Sequence, residues 1–124
     1  MELLFIYLAG AALYGLLELS WRGWTHWSML LCGGFCFSIM YLISGLNGAL
    51  WRKCMLCAFA ITTVEFFTGC LVNLRLHWQV WDYSAMPCNL LGQICPQFLL
   101  LWLALSVPGL WLCSGLRRLF RLWL

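Results

Sequence analysis

Apolar residues in this chain run in long unbroken stretches, interrupted only by short polar or aromatic clusters. The stretches are Leu3–Leu19, Trp27–Leu46, Cys54–Leu76 and roughly Leu90–Cys113. Each can reach the approximately 20 residues that a helix needs to cross a bilayer. The first is short, but it extends through Ser20 and Trp21 if the helix tilts. Polar and apolar positions do not alternate, so a membrane β-barrel is excluded. Lipid offers backbone groups no outside partner, so the stretches must be helices. The pattern predicts an all-α membrane protein, a four-helix transmembrane bundle in one domain spanning 1–124. Its helices are expected near 3–21, 27–46, 54–76 and 90–113.

Composition strengthens this picture. Of 124 residues, 65% are hydrophobic and 9% charged, with a mean hydropathy of +0.91. Soluble domains carry roughly 25% charged residues, and so small a soluble core could not bury this much apolar surface. The partner is therefore the lipid bilayer. A net charge of +3, scattered along the chain, gives no footprint for nucleic acid, and no Gly-rich phosphate loop is present. The N-terminus has no basic n-region and no small-x-small cleavage site before Glu18, so the first segment is expected to stay in the mature protein.

Basic residues set the expected sidedness. Arg52 and Lys53 precede the third segment, and Arg117, Arg118 and Arg121 follow the fourth. Arg22 and Arg75 fall at the opposite ends. An even number of spans puts five basic residues on one side and two on the other, so the positive-inside rule places both termini in the cytoplasm. Trp21, Trp24, Trp27, Trp78 and Trp81 form the outer aromatic belt, with Trp51 and Trp123 at the inner one. Trp102 falls in mid-membrane instead. In the fourth segment Pro96 and Pro108 favour bends, and Leu116–Trp123 reads as an interfacial amphipathic end. Small residues (Ala11 with Gly15, and the pair Gly33 and Gly34) could let helices approach closely.

Glu65 is the position with most chemical content. It lies near the middle of the third span, where an acid costs roughly 2.5–3.5 kcal/mol and is expected to face a cavity or a partner. Gly69 and Asn73 follow at i+4 and i+8, on the same broad face. Glu18 is a second membrane-level acid. It either pairs with Arg22 one turn on or joins Glu65 along one path, with Glu65 deeper by roughly 10 Å. Arg22, His26 and Asp82 lie in the two outer connections, either as a gate or as ordinary caps. Asn89, Gln93 and Gln97 recur every four residues, predicting a polar face on the outer half of the fourth helix.

The eight cysteines read mainly as buried thiols. Only Cys88 and Cys95 are placed for an oxidising exterior. His26 and His77 have no third ligand, and Cys54 and Cys57 have no second pair at zinc spacing, so neither a metal nor another cofactor is expected.

Several blocks together carry a family resemblance. These are Tyr14-Gly15 with Glu18, Thr25 to Met29, Thr63-x-Glu65-Phe66-x-x-Gly69, Val80 to Ser84, and Asn89 to Cys95. They resemble the type IV ABC-transporter family of small bacterial membrane proteins (CmpB-like), over nearly the whole chain. The family tail carries acidic residues before its arginines, where Cys113-Ser114-Gly115 stand in this chain. The resemblance implies a transport role in the bacterial cytoplasmic membrane, with the ATPase supplied by another chain. The leading expectation is an oligomeric transport or channel subunit passing a small polar solute or ion. Its path would be lined by Glu65, Glu18, Asn73, Asn89 and Gln93, and gated by Arg22, His26 and Asp82. An accessory protein bound to another membrane complex is the first alternative. An enzyme acting on a lipid-linked substrate is the second.

Overall fold

In the computed structural model, which describes residues 2–123, four helices account for most of the chain. They are α1 (Glu2–Arg22), α2 (Trp27–Ser44), α3 (Leu50–Gly69) and α4 (Pro96–Trp123), and α3 continues as a π-helical turn over Cys70–Arg75. All four are long and apolar enough to cross a membrane. Leu16, Phe59, Trp111 and many other large apolar side chains point outward. Water would not tolerate that surface, and lipid does. The fold is the expected all-helical one.

α1 packs along α2 and α3 along α4, while α2 also touches α3 and α4. The close α1–α2 contact rests on small residues. A side chain at Gly33 would sit 2.5 Å from the Tyr14 Cβ, and one at Gly34 would meet the Tyr7 carbonyl oxygen at 2.7 Å. These glycines are therefore covered within the chain. Ile6, Phe37, Met40, Cys57, Leu110 and Cys113 fill the centre of the bundle. Phe5 and Phe120 meet edge-on at 5.5 Å, which puts the start of α1 beside the end of α4. The Arg117 guanidinium donates to the Tyr41 carbonyl at 2.6 Å at that same end.

Two helices have bounds four or more residues from the sequence expectation. α3 begins at Leu50 rather than Cys54, after an extended Ala49, so Arg52 and Lys53 belong to its first turn. α4 runs over Pro96–Trp123 rather than 90–113. Pro96 starts the helix instead of bending it, because its missing N–H falls where no intrahelical bond is needed. Pro108 lies inside α4, and Leu116–Trp123 forms its last turns.

The helical face predicted for Asn89, Gln93 and Gln97 is therefore not formed. Asn89 and Gln93 lie in the connection between the π-turn and α4, and Gln97 is exposed in the first turn of α4. The spacing of four was coincidental. The backbone reverses at Cys88, Leu91 and Gly92, with φ of 57°, 54° and 73°, conformations that no helix contains.

Candidate functional site

The connection from Leu76 to Cys95 folds into the bundle, with Val80, Trp81, Gln93 and Cys95 buried. Irregular backbone is tolerated there only if protein satisfies its polar groups. Asn73 does so. Its Oδ1 accepts from the Val80 and Trp81 N–H groups at 2.7 and 3.3 Å, and its Nδ2 donates to Gln93 Oε1 at 2.8 Å. The Trp81 indole donates to the Gln93 carbonyl at 3.0 Å. Gly69 leaves the space this needs, since a Cβ there would lie 2.5 Å from Gln93 Oε1 and 2.9 Å from the Trp81 ring. The π-turn carries Asn73, as such turns often do at specialised positions.

Glu18 and Arg22 form an ion pair at 2.9 Å. Arg22 also donates to the Val80 carbonyl at 2.7 Å and lies 3.9 Å over the Trp24 ring. Helix α1 is thereby tied to the inserted connection. His26 caps α2, its Nδ1 accepting from the Ser28 N–H at 3.2 Å, and its ring lies 5.5 Å from that of Trp78. Asp82 is exposed and accepts from the Ser84 N–H at 2.9 Å, turning the loop rather than capping a helix. Asn89 bonds the Met86 carbonyl at 2.8 Å and accepts from the Gly92 N–H at 2.9 Å, again within the loop.

Glu65 has a different environment. The Tyr83 hydroxyl donates to Oε1 at 3.0 Å, and the Trp102 indole donates to Oε2 at 2.8 Å. Burial, followed by the nearby Glu65 carboxylate, holds the Tyr83 phenol well above its ordinary value, so it remains a donor. The Tyr83 ring stacks on Phe98 at 4.6 Å, which fixes it. Both partners of Glu65 are neutral, and among the described residues the one ion pair is Glu18–Arg22.

Glu65 also lines a cavity of about 410 Å³ between α1, α2 and α4. Tyr14, Met29, Phe37, Leu105 and Leu112 make most of the rest of its wall apolar. Leu13, Leu16 and Leu17 of α1 also line it and are themselves exposed on the apolar outer surface of the bundle. Glu18 is not among the residues that line it. Tyr14 and Trp102 approach within 6.1 Å beside it.

Sequence reasoning located Glu65 but not Tyr83 or Trp102 as its partners. The signal available was Trp102 itself, since an indole in mid-membrane needs a buried acceptor. All eight cysteines are free, Cys88 exposed and Cys95 buried. Among the described residues no group of three His, Cys, Asp or Glu could hold a metal ion.

Fold and site together define an integral membrane protein with a carboxyl group at the wall of a largely apolar cavity. The family described as "Putative ABC-transporter type IV" matches residues 22–116, and the chain belongs to it. No curated protein and no solved structure matches the chain.

Proposed function

We propose that this chain is the membrane-embedded part of a transport system, with Glu65 as the carboxylate that binds a positively charged cargo. One observation carries the reading. A carboxylate with only neutral donors stands on the wall of a largely apolar cavity. A charged group at such depth calls for compensation, and a cation supplies it. The apolar wall favours a cation with an apolar body over a small polar solute or a hydrated ion. A volume of about 410 Å³ falls in the range of roughly 300–1,000 Å³ that accepts small molecules. The rings of Tyr14 and Trp102 add faces that attract positive charge.

In this reading the outer end is closed by the inserted connection. Glu18, Arg22, Asn73 and Gln93 hold that cap rather than line the path, and His26, Asp82 and Asn89 form its outer surface. The five basic residues at the other end support a cytoplasmic position for both termini in a bacterial plasma membrane. The family description supports a separate ATPase chain as partner, and we propose alongside it a further copy or another membrane subunit. An accessory role would want an exposed small-residue face, whereas Gly33 and Gly34 are covered by α1.

Equilibrium binding of radiolabelled tetraphenylphosphonium to the purified chain tests this without requiring the ATPase. Wild type is expected to bind it, and Glu65→Gln to bind it at least about tenfold more weakly, the equivalent of roughly 1.4 kcal/mol. Equal binding by the two would remove Glu65 from the mechanism.

A further inference from the structure

At the opposite end of the bundle lies a second cavity, of about 580 Å³, between the end of α2, the start of α3 and the second half of α4. Lys53 and Arg118 both stand on its wall, with Ser44, Ser114 and Trp111. Lys53 donates to the Ser44 carbonyl at 3.3 Å, which leaves two of the three ammonium protons for another acceptor. Among the described residues neither cation has an acidic partner, the one ion pair there being Glu18–Arg22 at the far end. Two cations facing one space without an anion repel each other, and an anion between them relieves that.

The rest of the wall identifies the anion further. Val107, Leu110 and Leu50 are apolar, and Trp111 is 78% exposed toward the surroundings of the bundle. A free inorganic anion would gain nothing from that surface, whereas acyl chains would lie along it. Ala49 offers the start of α3 no side-chain cap, so the nearby backbone N–H groups add to the positive field. Basic pockets between membrane helices at the basic end of a protein suit anionic lipid headgroups.

We infer that this cavity is a binding site for an anionic phospholipid, its phosphate held between Lys53 and Arg118 and its chains against Trp111 and Val107. The site is separate from the Glu65 cavity and does not depend on the transport reading. Pro108 borders both cavities, so the lipid would rest against the same part of α4 that walls the first.

Native mass spectrometry of the full chain with equal phosphatidylglycerol and phosphatidylcholine tests the site. Each cation near a membrane surface is worth about 1 kcal/mol, so the anionic lipid should be retained roughly tenfold to thirtyfold better. The double variant Lys53→Gln, Arg118→Gln should lose that preference, while Arg121→Gln keeps it. Equal retention by wild type, or an unchanged preference in the double variant, overturns the proposal. If the double variant fails to fold, Trp111→Phe replaces it: brominated phosphatidylglycerol should quench wild type more than brominated phosphatidylcholine does, and the variant should show a smaller excess. An excess undiminished by the substitution counts against the site. Millimolar inorganic phosphate should leave the bound lipid in place; displacement would make a free anion the ligand and overturn the lipid assignment.

Discussion

The Tyr83 hydroxyl meets Glu65 Oε1 at 3.0 Å, so a residue of the inserted connection binds an acid in the body of α3. With Trp102 on the other oxygen at 2.8 Å, a single carboxylate joins α3, α4 and the loop between them. The same group is thus a structural node and, in the transport reading, the binding group. The two roles are separable by substitution.

Tyr83→Phe removes one donor and leaves the ring on Phe98. A hydrogen bond to a charged group contributes roughly 1.5–3 kcal/mol, so stability should fall by about that amount in a denaturant titration. Hydrogen exchange should quicken over residues 76–95 and stay unchanged in α1 and α2. Tetraphenylphosphonium binding should persist, because the negative charge and Trp102 remain.

Asn73→Leu should cost more, about 2–4 kcal/mol, since two buried N–H groups lose their acceptor at once. Gln93→Leu removes the other side of the same contact. A double-mutant cycle on Asn73 and Gln93 should give a coupling of about 1–2 kcal/mol. Additive effects would mean that the two side chains hold the connection independently.

Gly34→Ala and Gly115→Ala separate close approach from helix propensity. A methyl at Gly34 meets the Tyr7 backbone oxygen at 2.7 Å, whereas one at Gly115 meets nothing within 4 Å. The first should destabilise by about 1–3 kcal/mol. The second should be neutral or stabilise by up to about 1 kcal/mol. Thermal unfolding followed by helical circular dichroism reads both.

Cys88 is the exposed thiol in the long connection, and Cys95, seven residues on, is buried. A membrane-impermeant maleimide should label intact cells at Cys88, and Cys88→Ser should abolish the label. Labelling of inverted vesicles alone would place the connection in the cytoplasm and reverse the expected sidedness.

Much of the architecture was legible because its cause is local. Continuous apolar runs located four spans, and family membership followed from blocks such as Val80 to Ser84. Glu65 stood out as an acid amid apolar residues. The start of α4 was misplaced because Asn89, Gln93 and Gln97 imitate a helical period, while the left-handed turns at Cys88 and Leu91 occur at residues that do not announce them. The Glu18–Arg22 pair could be read from i,i+4 spacing, but its link to the Val80 carbonyl could not.

By itself, the sequence determined that the chain is a membrane protein with four apolar spans, and that one carboxylate would lie deep among apolar neighbours. Transfer from water to lipid adds up residue by residue along the chain, so that much needs no coordinates. Only the tertiary structure decided that Tyr83 and Trp102 hold this carboxylate, that the last connection returns into the bundle, and that Glu65 lines a cavity. Those depend on how helices are rotated against each other and where a loop returns, and a linear pattern does not encode either.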